Sequence, residues 1–320
     1  MKFLVFTLSI LIYSPQIFAS QWRLQVDNDI VLGQDGGYTS GLAISWLSEQ
    51  MQLADTPKAA QWQSYLLFPL SGIKAQWGVS LQQGMWTPKD IAYNMPQPSD
   101  RPYAGVLTLS HHLALYQADT AQKSWLSLGV IGPSSGTASL QRHVHKWTGS
   151  TPPEGWQYQI EDEFVVQYAY EVDKLIFRSP KQAFGWDWST FVYADVGNLR
   201  SELMTGLTFR YGQQLDFSFG LLSHRAGHLG FVKKSKQSSC WQVYSQLHLG
   251  YRFNDLTIDG DLPYSSNVEF ESVRLGAKVG AWWQYSNWRL DVTMHLDHRD
   301  FQTDEEKWNG YGSLGIAWHY

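Results

Sequence analysis

A chain of 320 residues with 16 Trp, 17 Tyr and only 17% charged residues has a less ionic surface than water-soluble domains, in which about a quarter of residues are charged. A net charge of -5 argues against a nucleic-acid partner, which calls for a basic face. A mean hydropathy of -0.31 excludes a bundle of apolar membrane helices, and the single Cys240 excludes an intramolecular disulfide.

In chain order, Lys2 is followed by an apolar run over residues 3–13, then Ser14-Pro15 and the small pair Ala19-Ser20. A positive start, a short apolar core and small residues predict a signal peptide over residues 1–20, cleaved near residue 19 or 20. The run is shorter than the roughly 20 residues that span a bilayer as a helix. Residues 21–320 are therefore expected to form one domain that crosses a membrane with strands.

Period-2 alternation begins at Trp22, Leu24 and Val26. It returns with Trp241, Val243, Leu247, Leu249, Tyr251 and Phe253 on one face, and Gln242, Gln246, His248 and Arg252 on the other. Val273, Leu275, Ala277, Val279, Ala281 and Trp283 repeat it, as do Trp288, Leu290, Val292, Met294 and Leu296 against Arg289, Asp291, Thr293 and His295. The last such run is Leu314, Ile316, Trp318 and Tyr320. A soluble antiparallel sheet also alternates, but aromatics at strand ends (Trp22, Trp46, Trp86, Trp283, Trp288, Trp318) match an interfacial girdle. Backbone groups in lipid must pair internally, so the sheet must close. The expectation is an all-β, antiparallel, up-and-down transmembrane barrel in a bacterial outer membrane. With roughly 25 residues per strand and connection, it has on the order of 12 strands. Residues 94–101 and 149–156, rich in proline, are predicted loops.

Three polar clusters exceed what a barrel wall needs. Asp27-Asn28-Asp29 ends the first strand and precedes Asp35-Gly36-Gly37-Tyr38-Thr39-Ser40-Gly41, offering hard oxygen ligands of the kind calcium takes, although such a segment also serves as a plain turn. Asp100 to Gly105 places Asp100 and Arg101 at a strand entrance, where pairing is the simpler role. Gly129 to Pro133 leads to Gln141 and His145, then to Gly155-Trp156, Gln159 and Glu163. His145 stands where a strand-like stretch gives way to a Gly/Pro loop, and a histidine there is either solvated or a general base oriented by a partner. No nucleophile elbow, P-loop, dinucleotide or zinc-protease spacing is present, and Cys240, beside Trp241 at a strand start, reads as inert.

Taken in order, these clusters resemble the outer-membrane lipid A 3'-O-deacylase family (LpxR). The elements that carry the resemblance are Asn28-Asp29, Tyr38 to Gly41, Thr87-Pro88 with Asp90-Ile91, Asp100 to Gly105 and Gly132-Pro133. It continues through Gln141 with His145, Gly155-Trp156 with Gln159 and Glu163, Gly197-Asn198, Asp259-Gly260 and Gly312 to Leu314. The resemblance implies calcium-dependent hydrolysis that releases the 3'-acyloxyacyl group of lipid A, at a site near the outward mouth between barrel wall and outer leaflet. It implies His145 as the base that activates water, Asp29 at the calcium site, and Asn28, Thr39 and Gln141 around it. Lys89, Arg101 and Lys146, together with Arg142, are candidates to hold lipid A phosphates, and either Glu154 or Glu163 is expected behind His145. The expected state is a monomer that meets lipopolysaccharide and outer-membrane lipids. The alternatives are a non-catalytic barrel or channel, or an outer-membrane phospholipase.

Overall fold

The computed structural model describes residues 20–29, 37–180, 183–225 and 239–320. The expected signal peptide, Ser20 excepted, and Asp35-Gly36 lie outside them. Among the described residues the strands are β1 (Gln21–Asn28), β2 (Gly37–Leu47), β3 (Lys74–Thr87), β4 (Ala104–Tyr116), β5 (Thr120–Ile131) and β6 (Glu163–Arg178). They continue with β7 (Gly185–Gly197), β8 (Arg200–Gly212), β9 (Ser239–Asp255), β10 (Val273–Tyr285), β11 (Trp288–His298) and β12 (Trp308–His319). Among the described residues three α-helices, α1 (Lys58–Gln63), α2 (Thr137–Thr148) and α3 (Leu256–Asp259), lie in the connections. Each strand pairs antiparallel with its sequence neighbour and β1 pairs with β12, so twelve strands close the barrel.

The wall follows the predicted alternation with apolar residues outward. Leu247, Leu249 and Phe253 on β9, and Leu290, Val292 and Met294 on β11, are exposed to lipid, while Gln246, His248, Asp291 and Thr293 are buried in the lumen. Trp288–Trp318, Trp318–Tyr320 and Trp46–Trp77 ring pairs form part of the girdle at the end that holds the Ser20–Tyr320 backbone pair. Trp86 departs from the expected girdle. It faces the mouth of the lumen, 5.3 Å from the Tyr38 ring, with the Arg101 guanidinium 5.8 Å above it.

The lumen is filled. Arg23 pairs with Asp291 at 2.7 Å, and Lys123 reaches Glu171 and Asp173 at 2.7 Å each. The connection after β8 turns inward: Leu221 and Leu222 are buried, Lys123 bonds the Leu222 carbonyl, and Ser223 Oγ and the His224 N–H donate to Glu171 at 2.7 and 2.9 Å. At the opposite end, Arg101, Arg252 and Arg274 meet Asp300 at 3.0 to 3.4 Å, and Arg200 and Arg252 meet Asp255 at 2.7 to 2.8 Å. A cavity of about 230 Å³ remains between the inward segment and this lattice, lined by groups such as Lys278, His295 and Tyr311.

Candidate active site on the outer face of the wall

The connection between β5 and β6 carries α2 and lays it against the outside of the barrel. Gln83, an outward position of β3, donates to the Ser135 carbonyl at 3.2 Å and to Thr137 Oγ1 at 3.0 Å. Gly105 on β4 permits this contact, because a Cβ there would lie 2.5 Å from Thr137 Cβ. The helix is bounded by two left-handed glycines, Gly136 at φ 71° and Gly149 at φ 74°. His145 was expected where a strand gives way to a loop; it is instead in the last turn of this helix, one turn beyond Gln141.

One face of α2 meets protein. Gln141 is 2% exposed, and the Trp156 indole N–H donates to its Oε1 at 2.6 Å. Indole nitrogen only donates, so this bond fixes the amide with Oε1 toward Trp156 and Nε2 free. Nε2 is buried with no hydrogen-bond partner among the described residues. The Trp156 ring lies tilted against Tyr103 at 4.9 Å, the Tyr103 hydroxyl donates to the Ile91 carbonyl at 3.2 Å, and Met85 of β3 belongs to the same buried cluster. Burial pushes the Tyr103 phenol up to about 12, so it remains a neutral donor.

The other face is apolar and uncovered. Leu140, Val144 and Trp147 are exposed, Trp147 by 88%, on the side facing away from the wall.

His145 has a fixed tautomer. Its Nδ1 lies 2.6 Å from the Thr151 backbone carbonyl, which can only accept, so Nδ1 carries the proton and Nε2 holds the lone pair. The helix end makes this possible: the Gly149 and Ser150 N–H groups both bond the His145 carbonyl and turn the chain back. Neither predicted acid fills this role. The Glu163 carboxylate accepts from Asn198 Nδ2 at 2.9 Å, and Glu154 is tied by its backbone N–H to Ile91 at 2.8 Å, with its side chain exposed.

A second group of predicted residues gathers at the neighbouring strand ends. The Asp29 N–H and Asn28 Nδ2 both donate to the Thr39 carbonyl at 3.4 Å. The pairing of β2 with β3 shifts register between Tyr38 and Ser40. Such a bulge re-aims side chains: Tyr38 turns inward to Asp27 at 2.9 Å, while Thr39 Oγ1 meets Thr87 Oγ1 at 2.7 Å. Asp29 is buried. The two groups share β3 as their frame, since Met85 is in the buried cluster with Tyr103 and Trp156, and Thr87 touches Thr39. Two residues of strand separate them by about 7 Å. Thr87, Thr151 and Trp156 thus join the site. Residue order placed Thr87 and Trp156 near it, but nothing in the sequence indicated which atoms they touch.

The predicted cations are distributed unequally. Arg101 is 1% exposed and engaged with Asp300 at 3.4 Å and Thr257 Oγ1 at 3.3 Å, so its guanidinium braces the mouth and is not offered to an outside phosphate. Burial pushes the Asp300 carboxyl up, but Arg274, Arg252, Arg101 and Arg200 outweigh it and hold it far below the usual carboxylate range. Lys89 leans to Asp304 at 2.9 Å and Glu306 at 3.6 Å. Burial opposes its charge, yet the Asp304 bond and the carboxylates of Asp304, Glu306 and Asp100 hold its pKa above the ordinary lysine value. Lys146 and Arg142 stand exposed on α2 itself.

The family described as "Outer membrane protein LpxR" matches residues 3–320. The chain belongs to the LpxR family. Among solved structures, LpxR from Salmonella typhimurium superposes with a TM-score of 0.79 at 18% identity, covering 94% of this chain and 100% of that one. The β domain of the Bordetella autotransporter BrkA gives a TM-score of 0.42 at 12% identity, covering 94% of this chain and 97% of that one. The translocator domain of NalP from Neisseria meningitidis gives 0.39 at 9%, covering 94% and 88%. No curated protein sequence matches. Membership fixes the outer membrane as the barrel's setting.

Proposed function

We propose that this LpxR-family protein is a calcium-dependent ester hydrolase that removes the 3'-acyloxyacyl group from lipid A. The observation that carries the reading is the two-sided helix α2. Gln141 and His145 face the wall, with a free amide donor and a free imidazole lone pair, while Leu140, Val144 and Trp147 face outward. A substrate whose acyl chains stay in the leaflet can present its ester from that side without entering the lumen. The filled lumen weighs against a channel.

In this scheme His145 Nε2 takes a proton from water as the water oxygen attacks the ester carbonyl carbon. The bond between that carbon and the sugar 3'-oxygen then breaks, and the proton passes from the imidazolium to the departing oxygen. The products are a two-chain acyloxyacyl fatty acid and a free sugar hydroxyl. The Thr151 carbonyl holds the imidazole and stabilises its positive charge. Gln141 Nε2, fixed by Trp156, is a donor for the oxygen on which negative charge develops.

The resemblance also implies a calcium ion, and the residues fit one. Asn28, Asp29 and Thr39 offer amide, carboxylate and hydroxyl oxygens, all hard donors. Asn28 Nδ2 donates to the Thr39 carbonyl, and the oxygen of the same amide is the end of the side chain with cation-ligand chemistry. Bound there, calcium would supply positive charge to the ester carbonyl. Lys146 and Arg142 suit the anionic groups of the substrate.

The test is lipid A mass from membranes with the wild type, His145→Ala and Asp29→Asn, in calcium and in chelator. We expect loss of a two-chain acyloxyacyl unit in the wild type with calcium alone, and both variants inactive but folded. Lysophospholipid appearing in its place, or wild-type turnover by both variants, would overturn the proposal.

A further inference from the structure

The connection between β2 and β3 leaves the barrel at the end that holds Ser20 and Tyr320, opposite α2. It then folds back onto the outer face of the wall. Outward positions of β4 and β5 that would meet lipid meet this segment instead: Ala60 and Leu67 pack on Leu113 and Leu115. Two of the covered positions are polar. Gln63 Nε2 donates to Ser124 Oγ at 2.9 Å, and Gln122 exchanges two 2.9 Å bonds with the Phe68 backbone. Bare to hydrocarbon, Gln122 and Ser124 would be costly, so the cover is part of the wall.

What the segment shows to its surroundings is apolar. Trp62, Tyr65 and Phe68 are 73%, 86% and 70% exposed, with Leu66 beside them. No charged residue lies between Lys58 and Lys74, which bracket the segment. Aromatic side chains between flanking lysines suit a bilayer interface, where rings sit at headgroup level and ammonium groups meet anionic phosphates. Just beyond the covered strip the wall faces lipid again, at Leu126 two residues past Ser124 on β5 and at Val79 two residues past Trp77 on β3.

We propose that residues 58–68 are an in-plane membrane anchor whose Trp62, Tyr65, Leu66 and Phe68 insert into the phospholipid leaflet at the barrel's terminal end. The alternative occupant of so apolar a surface, a soluble protein, requires the crest to lie in water.

The test uses the full-length protein folded into phosphatidylcholine and phosphatidylglycerol vesicles. A thiol-reactive, environment-sensitive fluorophore is placed at Tyr65→Cys and, separately, at Phe68→Cys. Cys240 is fully buried and stays unlabelled. Leu109→Cys on the lipid-facing wall and Glu305→Cys in a mouth loop are the reference positions. We expect both crest labels to match Leu109, with blue-shifted emission, quenching by lipids brominated on their acyl chains, and protection from aqueous iodide. Labels that behave as at Glu305, open to iodide and untouched by brominated lipid, would overturn the anchor.

Discussion

If the Thr151 carbonyl orients His145, the sensitive point is the backbone that delivers it. Gly149 holds φ 74°, and a Cβ there would meet nothing within 4 Å, so Gly149→Val acts through conformation and not through a clash. A β-branched residue in the left-handed region costs about 1–2 kcal/mol. The loop relieves this by moving, which withdraws the Thr151 carbonyl from Nδ1. The bond becomes charge-assisted when the imidazole is protonated, and such bonds contribute about 1.5–3 kcal/mol. At about 1.4 kcal/mol per tenfold, kcat should fall roughly 10- to 150-fold. Gly72 is a matched control, with φ 64°, nothing within 4 Å, and a place at the other end of the barrel. Gly72→Val carries the same strain and should leave turnover unchanged. Glu154→Gln and Glu163→Gln should also stay within about twofold, since neither carboxylate is bonded to His145. Turnover is read by mass spectrometry of lipid A in vesicles, and folding by the heat-dependent gel mobility of the barrel. A tenfold loss in Glu154→Gln, or full activity in Gly149→Val, would refute the assignment.

Trp156→Phe leaves the buried Gln141 oxygen without its donor, a cost of about 1–3 kcal/mol. It should lower kcat about tenfold or more with little change in KM, measured on the same substrate. Lys146→Ala should raise KM a few-fold and leave thermal stability alone, whereas Lys89→Ala should also lower the melting temperature, because it strips the partner from buried Asp304. Arg101→Ala should destabilise the mouth by about 1.5–3 kcal/mol, read from urea unfolding in vesicles, because Asp300 loses one charge-assisted partner while Arg252 and Arg274 remain. Asp300 titrates lower folded than unfolded, so its contribution is complete above the ordinary carboxyl value and fades as pH falls below about 4. Unfolding free energy should therefore be level between pH 7 and 5 as far as this lattice sets it, and Asp300→Asn should weaken it across that range.

The parts of this molecule that can be read from sequence are those in which one residue's environment depends on its place in a repeat. Val292 faces lipid and Thr293 the lumen because the strand alternates, so the face each residue takes follows from periodicity, and the strand number follows from chain length divided by strand plus connection. Trp86 breaks the girdle pattern because its place in the β3 alternation, two residues on from the lumen-lining Gly84, turns it inward to Tyr38 and Arg101. Helix α2 is harder for a sharper reason. Leu140, Val144 and Trp147 have helical spacing, but in a soluble protein that stripe would mark the buried face. Here the stripe is bare and the polar face, Gln141 and His145, is against protein. Periodicity gives the residues that share a face without saying what covers it, and a barrel in lipid inverts the usual answer. The site itself consists of contacts between separate segments, Thr39 with Thr87 of β3 and Gln141 with Trp156, whose buried cluster includes Met85 of β3. No local pattern encodes such pairs. What order along the chain did carry was the inventory of groups, and closure of the wall is what turns that inventory into a geometry in which, at this site and among the described residues, His145 Nε2 and Gln141 Nε2 stay without a hydrogen-bond partner.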